Sequence, residues 1–177
     1  MVAATIRRLA PAEVAAATPA LAVLFIDAVA DGASIGFMAG VSREQAEAYW
    51  RDVAAQPDGR VVFVAEDAEG VAGTVILAPM REAFQPHRAE IVKLVVHRRA
   101  RGRGVAAALM EAAEREARGS DRTHLTLMTR AGSAGDRLYR RMGWTLVGVI
   151  PQDSLAPGGA LADAAIFRKQ LDSGTDR

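Results

Sequence analysis

The amino-acid sequence predicts a single mixed α/β (α+β) domain, and three observations support this fold class. Half of the 177 residues are apolar and 24% are charged, as in an ordinary globular protein. Short β-branched runs alternate along the chain with longer segments of helical spacing. No internal repeat or linker composition divides the chain. The segments follow the order β-α-α-β-β-β-α-β-α-β-β, which is typical of one sheet with packed helices.

The first part of the chain predicts one strand and two helices. Thr5–Leu9 has the composition of a short strand, and Pro11 suits the first turn of the helix that follows. Ser42 and Gln45 have the spacing of a capping box, in which each side chain bonds the backbone of the other. This box predicts a second helix over 42–56.

The middle of the chain predicts a hairpin, a further strand and a long helix. Residues 60–66 and 71–78 are β-branched runs joined by a short polar turn that contains glycine, which is typical of a hairpin. A third such run covers 90–96. An alanine-rich helix over 104–118 follows it after a short basic turn.

The last part of the chain predicts three strands and a short helix. The predicted strands cover 123–129, 145–150 and 161–169, and the predicted helix covers 134–142. Gly143 suits the end of that helix. Proline and glycine predict a loop over 151–159. We therefore expect one domain over 1–171 and a flexible polar tail over 172–177.

The composition excludes several kinds of function. The net charge is only +1, and the basic residues cluster near 97–103 and 137–141, which favours a small anionic ligand over nucleic acid. The chain has no cysteine, so disulfides, thiolate catalysis and cysteine-ligated zinc are excluded. The histidines His87, His97 and His124 are dispersed, and we predict no metal site.

The N-terminal segment predicts neither a signal peptide nor a membrane span. Arg7 and Arg8 precede an apolar stretch, but Pro11, Glu13 and Asp27 interrupt it. No uninterrupted apolar run reaches the roughly 18 residues that a membrane helix needs. We therefore expect this segment to form an amphipathic helix of a cytoplasmic protein. We expect no membrane partner.

A basic turn between the third β-branched run and the long helix gives the strongest functional signal. It reads Arg99-Ala100-Arg101-Gly102-Arg103-Gly104. Glycines let a ligand approach the main chain, and the first turn of a helix carries unpartnered N–H groups and partial positive charge. The arginines add donors of the right charge. The turn therefore predicts a site for a phosphate or pyrophosphate.

Two alternative interpretations of this turn remain open. Gly102, Gly104 and Ala107 also match a loose dinucleotide-binding fingerprint. That fingerprint needs an acidic residue at the end of the next strand, whereas Asp121 precedes that strand. The chain after Gly104 is also too short for the usual doubly wound sheet. A nucleotide-dependent oxidoreductase is thus the weaker alternative, and a purely structural turn is the other.

Two motifs and the element order resemble the GNAT N-acetyltransferase superfamily. The motifs are the Arg-x-x-Gly-x-Gly turn and residues 138–144, which read Leu-Tyr-Arg-Arg-Met-Gly-Trp. The resemblance covers nearly the whole chain. It implies a GNAT-like domain with a central, mostly antiparallel mixed sheet flanked by helices. It also implies that acetyl-CoA is the co-substrate and that the turn holds its pyrophosphate.

Four segments are similar to the tabtoxin-resistance type branch of that superfamily. They are 32–38 (Gly-Ala-Ser-Ile-Gly-Phe-Met), 88–94 (Arg-Ala-Glu-Ile-Val-Lys-Leu), 101–104 (Arg-Gly-Arg-Gly) and 131–133 (Ala-Gly-Ser). The chain departs from the branch at Met128, where the branch has an acidic residue, and at Asp153, where it has an aromatic residue. Many relatives also have asparagine at the position of Gly132. These departures argue against tabtoxin itself as the acceptor but not against acetyl transfer.

Glu90 and Tyr139 are the candidate catalytic residues. Strand alternation places Glu90 on one face with Val92, Leu94 and Val96, which favours a half-buried carboxylate able to accept a proton from an amine. The resemblance places Tyr139 near the CoA sulfur as a general acid for the departing thiolate. The structural alternatives are a Glu90 carboxylate that faces solvent or pairs with Arg88, and a Tyr139 ring that is a partly buried part of the core.

The remaining candidates would bind the two substrates. The resemblance implies that the backbone of Leu94, Val95 and Val96 contacts the pantetheine arm. The turn candidates for the phosphates are Arg99, Arg101, Gly102, Arg103, Gly104, Val105 and Ala106. Phe37, Met38 and Asp153 are candidates for the acceptor pocket, with Trp144 a weaker one. Arg137, Arg140 and Arg141 either contact the 3′-phosphate of CoA or form a solvated helix face.

The sequence therefore predicts an N-acetyltransferase that moves an acetyl group from acetyl-CoA to a primary amine of a small molecule. Because the chain has no cysteine and no evident serine–histidine pair, we expect direct attack without a covalent enzyme intermediate. The alternatives are a non-catalytic acetyl-CoA-binding relative and an acetyltransferase for protein N-termini or lysines. We also expect a homodimer that uses the N-terminal helix or the final strand.

Overall fold

The computed structural model describes residues 4–56 and 58–172, so only Asp172 of the predicted tail falls within these ranges. The order of elements is the predicted one. The strands are β1 (Thr5–Leu9), β2 (Val61–Asp67), β3 (Gly70–Pro79), β4 (Arg88–Val96), β5 (His124–Arg130), β6 (Thr145–Leu155) and β7 (Leu161–Gln170). The helices are α1 (Pro11–Ala30), α2 (Arg43–Ala55), α3 (Val105–Gly119) and α4 (Ala134–Arg141).

The strands form one seven-stranded sheet in the order β1-β2-β3-β4-β5-β7-β6. Neighbouring strands are antiparallel except β4 and β5, which are parallel and are connected through α3. Such a crossover needs a long connection, and the helix supplies it. The predicted mixed α/β fold with a mostly antiparallel sheet is confirmed.

The sheet separates two apolar cores. On one side α1 and α2 pack over the first strands, and Phe25 and Trp50 are fully buried there. On the other side α3 and α4 pack over the central strands, and Leu109 and Phe167 are fully buried. These two layers of helices hold β4 and β5 at the centre of the molecule.

Helix α1 is long and apolar enough, by length and composition, to cross a membrane. The sequence does not predict a helix of this apolar character, because Glu13 and Asp27 interrupt the apolar stretch. In the structure, however, Leu21, Leu24 and Phe25 of α1 are fully buried against α2 and the sheet. The apolar composition of α1 therefore serves the core of the domain.

Strand β6 is longer than the sequence predicts. It continues to Leu155, so the first half of the predicted loop over 151–159 is strand. Pairing with β7 resumes beyond a bulge, with Ser154 opposite Ala162. Pro151 is accommodated because it lies in the register shift between Ile150 and Ser154 of an edge strand. Tertiary pairing thus outweighs the loop-forming composition of this segment.

Candidate active site

The two central strands separate after a short paired stretch. β4 and β5 pair at Arg88, Ala89 and Glu90, opposite residues 124–126. Both strands continue beyond these positions without pairing to each other. The gap opens into a cleft of about 730 Å³, a size typical of small-molecule and cofactor sites. The loop after α1, the end of β4, the start of α3, the end of β5 and α4 line this cleft.

A bulge in β4 changes which residues face the cleft. Lys93 and Leu94 together lie opposite a single residue of β3, and Lys93 has a positive φ of 55°. Val92 therefore packs on the α1 side of the sheet, whereas Leu94 and Val96 pack on the α3 side. The prediction that Glu90 shares a face with Leu94 and Val96 is wrong, because the extra residue reverses the alternation.

The turn before α3 has the backbone geometry of an anion-binding loop. Gly102 and Gly104 have φ values of +72° and +79°, which other residues adopt only with strain. No side chain caps α3, and the N–H of Ala108 is bonded to the carbonyl of Gly104. The N–H groups of the first helical turn, from Val105 onward, are therefore free to bind a phosphate in the cleft.

Arg101 is the arginine of this turn that lines the cleft. Its Nε donates to the carbonyl of Val96 at 3.2 Å, and its guanidinium pairs with Asp31 at the end of α1. The ion pair is partly exposed, so a multiply charged anion can compete for the guanidinium. Arg101 is thus placed to contact a phosphate.

Arg99 and Arg103 lie outside the cleft lining. Arg99 pairs with Asp67 and donates to the carbonyl of Val71 at 3.3 Å. It therefore ties the turn to the β2–β3 hairpin, and it would support phosphate binding through the shape of the turn. Arg103 is exposed.

Residues 94–96 offer backbone groups to the cleft. Leu94, Val95 and Val96 all line it, and Val95 and Val96 pair with β3 along one edge of the strand. Their opposite edge faces the gap toward β5. An extended arm with amide groups can add to such an edge as an extra strand would.

Helix α4 forms the opposite wall, and its N-terminus is fixed by a capping network. The Ser133 hydroxyl accepts from the N–H of Asp136 at 3.2 Å, and the Asp136 carboxylate accepts from the N–H of Gly132 at 2.7 Å. Arg140 donates to the same carboxylate at 2.6 Å. These bonds orient α4 so that Tyr139 lines the cleft.

The Tyr139 ring is buried between two other aromatic rings. Its centroid lies 6.1 Å from that of Trp144 and 5.8 Å from that of Phe167. Burial raises the pKa of the Tyr139 hydroxyl to about 12. A raised pKa makes the hydroxyl a weaker acid, which favours a hydrogen bond to a thiolate over full proton transfer.

Glu90 is half-buried beside the point where β4 and β5 part. Burial raises the pKa of its carboxyl, and the positive charges of Lys93 and Arg88 partly oppose this effect. A raised pKa makes a carboxylate a stronger base at neutral pH. Glu90 does not line the cleft itself, but its position at the start of the gap and its raised pKa suit a residue that accepts a proton from an amine.

Lys93 connects this region to the loop after α1. Its Nζ donates to the carbonyl of Ile35 at 2.6 Å and lies 5.2 Å from the centroid of the Tyr49 ring. Burial lowers the pKa of Lys93, with Glu90 opposing the shift. Lys93 thereby holds one wall of the cleft in place.

The three acceptor-pocket candidates are not brought together in the cleft. Phe37 packs 6.0 Å from both Phe25 and Tyr49, measured between ring centroids. Met38 is exposed on the same loop, and Asp153 is exposed on β6. Trp144, the weaker candidate, is buried in the core, where its Nε1 donates to a carboxylate on α3. Phe37 and Met38 follow the cleft-lining residues Ser34 and Ile35 along the same loop, and Asp153 lies on the β6–β7 hairpin.

Sequence reasoning missed part of the cleft. These additional lining residues include Asp31, Gly32, Ala33, Ser34, Ile35, Thr129, Arg130, Ser133, Leu138 and Met142. The glycine-containing loop over 32–38 carried a usable signal, because a short apolar loop with two glycines is unusual at a surface. The arginines of α4 have different positions: Arg141 lines the cleft, whereas Arg140 is bound to Asp136.

Within residues 4–56 and 58–172, no group of three or more histidine, aspartate or glutamate side chains is arranged to hold a metal ion. The cleft instead has the features that bind a phosphorylated organic molecule. These features are the uncapped helix N-terminus, Arg101 and the unpaired strand edge. They fit the pyrophosphate and the amide-containing arm of acetyl-CoA.

Fold and site together define a transferase that uses an acyl-CoA donor, and comparison with known proteins agrees. A model of the acetyltransferase (GNAT) family matches residues 26–144. The chain belongs to this family. It is an acyltransferase, and its acetyl donor is acetyl-CoA.

Solved structures with the same fold include three acetyltransferase relatives. A ribosomal-protein-alanine N-acetyltransferase from Brucella melitensis is 26% identical, with 94% of this chain and 99% of that chain covered and a TM-score of 0.75. A phosphinothricin acetyltransferase from Sinorhizobium meliloti in complex with acetyl-CoA is 21% identical, with 99% and 92% covered and a TM-score of 0.79. The yncA protein of Salmonella typhimurium with its cofactor acetyl-CoA is 23% identical, with 99% and 98% covered and a TM-score of 0.75.

Proposed function

We propose that this protein acetylates the primary amine of a small molecule by direct attack of the amine on acetyl-CoA. The position of Glu90 carries the proposal. It lies where β4 and β5 part, on the sheet face opposite the one that packs against α3. The two substrates would thus approach from opposite sides of the sheet and meet in the gap.

In the proposed reaction Glu90 accepts a proton from the ammonium form of the acceptor, and the neutral amine that results attacks the thioester. The nitrogen forms a bond to the acetyl carbonyl carbon, and the carbon–sulfur bond breaks as the thiolate leaves. The half-buried carboxylate, with its raised pKa, favours this role. Backbone N–H groups at the open edge of residues 94–96 would stabilise the negative charge on the thioester oxygen.

The Tyr139 hydroxyl would donate a hydrogen bond to the departing thiolate. Its pKa of about 12 keeps the phenol protonated at neutral pH. The final proton then comes from solvent or from the acetylated nitrogen. We expect Tyr139→Phe to lower kcat about 10- to 100-fold with little change in acetyl-CoA affinity. Unchanged turnover would remove Tyr139 from the mechanism.

Two observations support a small-molecule acceptor. The segments at 32–38 and 88–94 are similar to the tabtoxin-resistance type branch, although Met128 argues against tabtoxin itself. A phosphinothricin acetyltransferase is also among the structural neighbours. A protein N-terminus is the second candidate acceptor, because the neighbour from Brucella melitensis is a ribosomal-protein-alanine N-acetyltransferase.

We also infer a cytoplasmic location and a homodimer as properties to be tested. The location is supported by the burial of the apolar side of α1 within the domain. The final strand, one of the two expected interfaces, has both edges already paired, because β7 lies between β5 and β6. The dimer is instead supported by the exposed apolar side chains of Val147 and Val149 on the edge strand β6. Sedimentation of the purified chain would establish its oligomeric state.

The first experiment is calorimetric titration with acetyl-CoA, with NADH as the control, followed by acetylation assays. The assay panel would contain small primary amines and peptides with N-terminal alanine. We expect acetyl-CoA alone to bind, and small amines to be acetylated faster than the peptides. Glu90→Gln should lower kcat about 100-fold or more but retain acetyl-CoA binding. If only the peptides are acetylated, the small-molecule acceptor is refuted and a protein N-terminus becomes the proposed acceptor.

A further inference from the structure

Glu90 belongs to a row of side chains that crosses four strands. Glu90 of β4 lies opposite Thr126 of β5, Thr126 lies opposite Arg168 of β7, and Arg168 lies opposite Thr145 of β6. Directly paired residues project from the same face of a sheet. Arg168 therefore shares the face of Glu90, two strand spacings or about 10 Å away at the backbone.

This face is open beyond β4. Helix α1 packs over β3 and β4. Further along the sheet, Met128 of β5 and Ile150 of β6 lie on the same face with exposed fractions of 52% and 42%. Arg168 lies on β7, the strand between β5 and β6, and it is also exposed. The open face forms a shallow platform that begins at Glu90, and a small acceptor can lie on it.

The platform carries more positive than negative charge. Across the paired positions of β4, β5, β7 and β6 on this face, Glu90 is the one carboxylate, whereas Arg88, Arg130 and Arg168 are basic. Among the described residues, neither Arg130 nor Arg168 forms an ion pair with a carboxylate. The Nε atom of Arg88 is buried without a hydrogen-bond partner in the same part of the chain.

We propose that the acceptor is an amine that also carries a carboxylate, such as an amino acid, and that Arg168 binds this carboxylate. The inference rests on the proposed function and specifies its substrate class. Glu90 receives the amine end, and the guanidinium of Arg168 forms charge-assisted hydrogen bonds with the acid end. Thr126, between the two, offers a hydroxyl along the same row.

Substitution of Arg168 distinguishes acceptor binding from acetyl-CoA binding. Arg130 also lines the acetyl-CoA cleft, so its loss would affect both substrates. Arg168 lies outside the cleft lining. Removing its charge should therefore change the recognition of the acceptor and leave the acetyl-CoA affinity unaltered.

The test compares each amino acid of a panel with its carboxamide and with its decarboxylated amine. Acetylation rates would be measured for the wild type, Arg168→Gln, Arg168→Lys and the control Arg115→Gln. Arg115 is an exposed arginine on α3, on the other side of the sheet. Acetyl-CoA affinity and thermal stability would be measured for every variant.

We expect the wild type to prefer the acids over their amides by about 10- to 100-fold in kcat/KM. Arg168→Gln should remove this preference by raising KM for the acids, Arg168→Lys should keep part of it, and Arg115→Gln should have no effect. If amides and acids react equally well, or if Arg168→Gln keeps the preference, the inference is overturned and the proposed function stands. If no small amine is acetylated at all, the proposed function fails and the inference fails with it.

Discussion

Replacing Gly104 by alanine tests whether the turn before α3 binds the phosphates of acetyl-CoA. Gly104 has a φ of +79°, so an alanine there costs about 1–2 kcal/mol of folding free energy. A Cβ at this position meets no atom within 4 Å, so no steric clash adds to that cost. In the bound state, however, the methyl group would stand at the uncapped N-terminus of α3, where a phosphate must approach the N–H groups closely.

The expected result is a modest loss of stability and a large loss of affinity. Gly104→Ala should lower the free energy of unfolding by about 1–2 kcal/mol. It should weaken acetyl-CoA binding by at least about tenfold, since one charge-assisted hydrogen bond is worth that much or more. The assays are urea denaturation and calorimetric titration with acetyl-CoA.

Gly59 provides a matched control for backbone strain. It has a φ of +77°, and its nearest potential contact is the Cγ of Pro79 at an ordinary 3.7 Å. Gly59 does not line the cleft. Gly59→Ala should therefore cost similar stability without changing the acetyl-CoA affinity. Wild-type affinity in Gly104→Ala, or an equal loss in both variants, would refute the assignment of the turn to phosphate binding.

Three further predictions concern charged groups of the site and the core. Burial raises the pKa of Glu90 above its value in the unfolded chain. At a pH above the folded-state pKa the ionised carboxylate destabilises the folded protein, and at a pH below the unfolded-state pKa this cost is absent. Glu90→Gln should therefore raise Tm at pH 7 while lowering kcat about 100-fold or more, and a lower Tm would contradict the burial argument. Lys169→Met removes the Nζ that lies 2.8 Å from the buried Glu114 carboxylate. The free energy of unfolding, measured in urea, should therefore fall by about 3–5 kcal/mol. A loss under about 1 kcal/mol would show that solvent compensates for the missing ammonium group. Lys93→Met removes the bond to the Ile35 carbonyl and should weaken acetyl-CoA binding about tenfold in calorimetry, and unchanged binding would show that the loop keeps its position without Lys93.

The sequence predicts well those features that depend on neighbouring residues. The capping box of Ser42 and Gln45 forms as predicted, with both reciprocal bonds present. Gly143 follows the end of α4 with a φ of +77°, as its position predicts. Such signals act within one or two helical turns, and local chemistry alone determines them. The order of elements follows from a series of such local signals.

Features that depend on distant residues could not be predicted in this way. Arg99 belongs to the predicted phosphate-binding motif, yet its guanidinium is bound to Asp67, 32 positions away in the sequence. Arg101 has the same residue type and lies two positions later, but it lines the cleft and pairs with Asp31. Nothing in the local sequence distinguishes these two arginines. Only the packing of the β2–β3 hairpin and of α1 against the turn assigns them different partners.

The bulge at Lys93 shows why the site itself needs the three-dimensional structure. An extra residue in β4 moves Leu94 and Val96 to the α3 side, while Glu90 stays on the side of α1. In the proposed mechanism one strand would therefore present the Glu90 carboxylate to the acceptor and backbone groups to acetyl-CoA. A lysine at a φ of 55° costs about 1–3 kcal/mol of strain, which the surrounding structure must offset.

The contacts of the Lys93 side chain provide such an offset. Its ammonium is bonded to the Ile35 carbonyl and lies over the Tyr49 ring, so the strained residue is also the one that fixes the cleft wall. A strand that alternated regularly would place Leu94 and Val96 on the α1 side of the sheet with Glu90. The bulge instead turns both side chains to the α3 side, where they line the cleft. In the proposed mechanism the strained Lys93 would therefore serve a site that two substrates enter from opposite sides of the sheet.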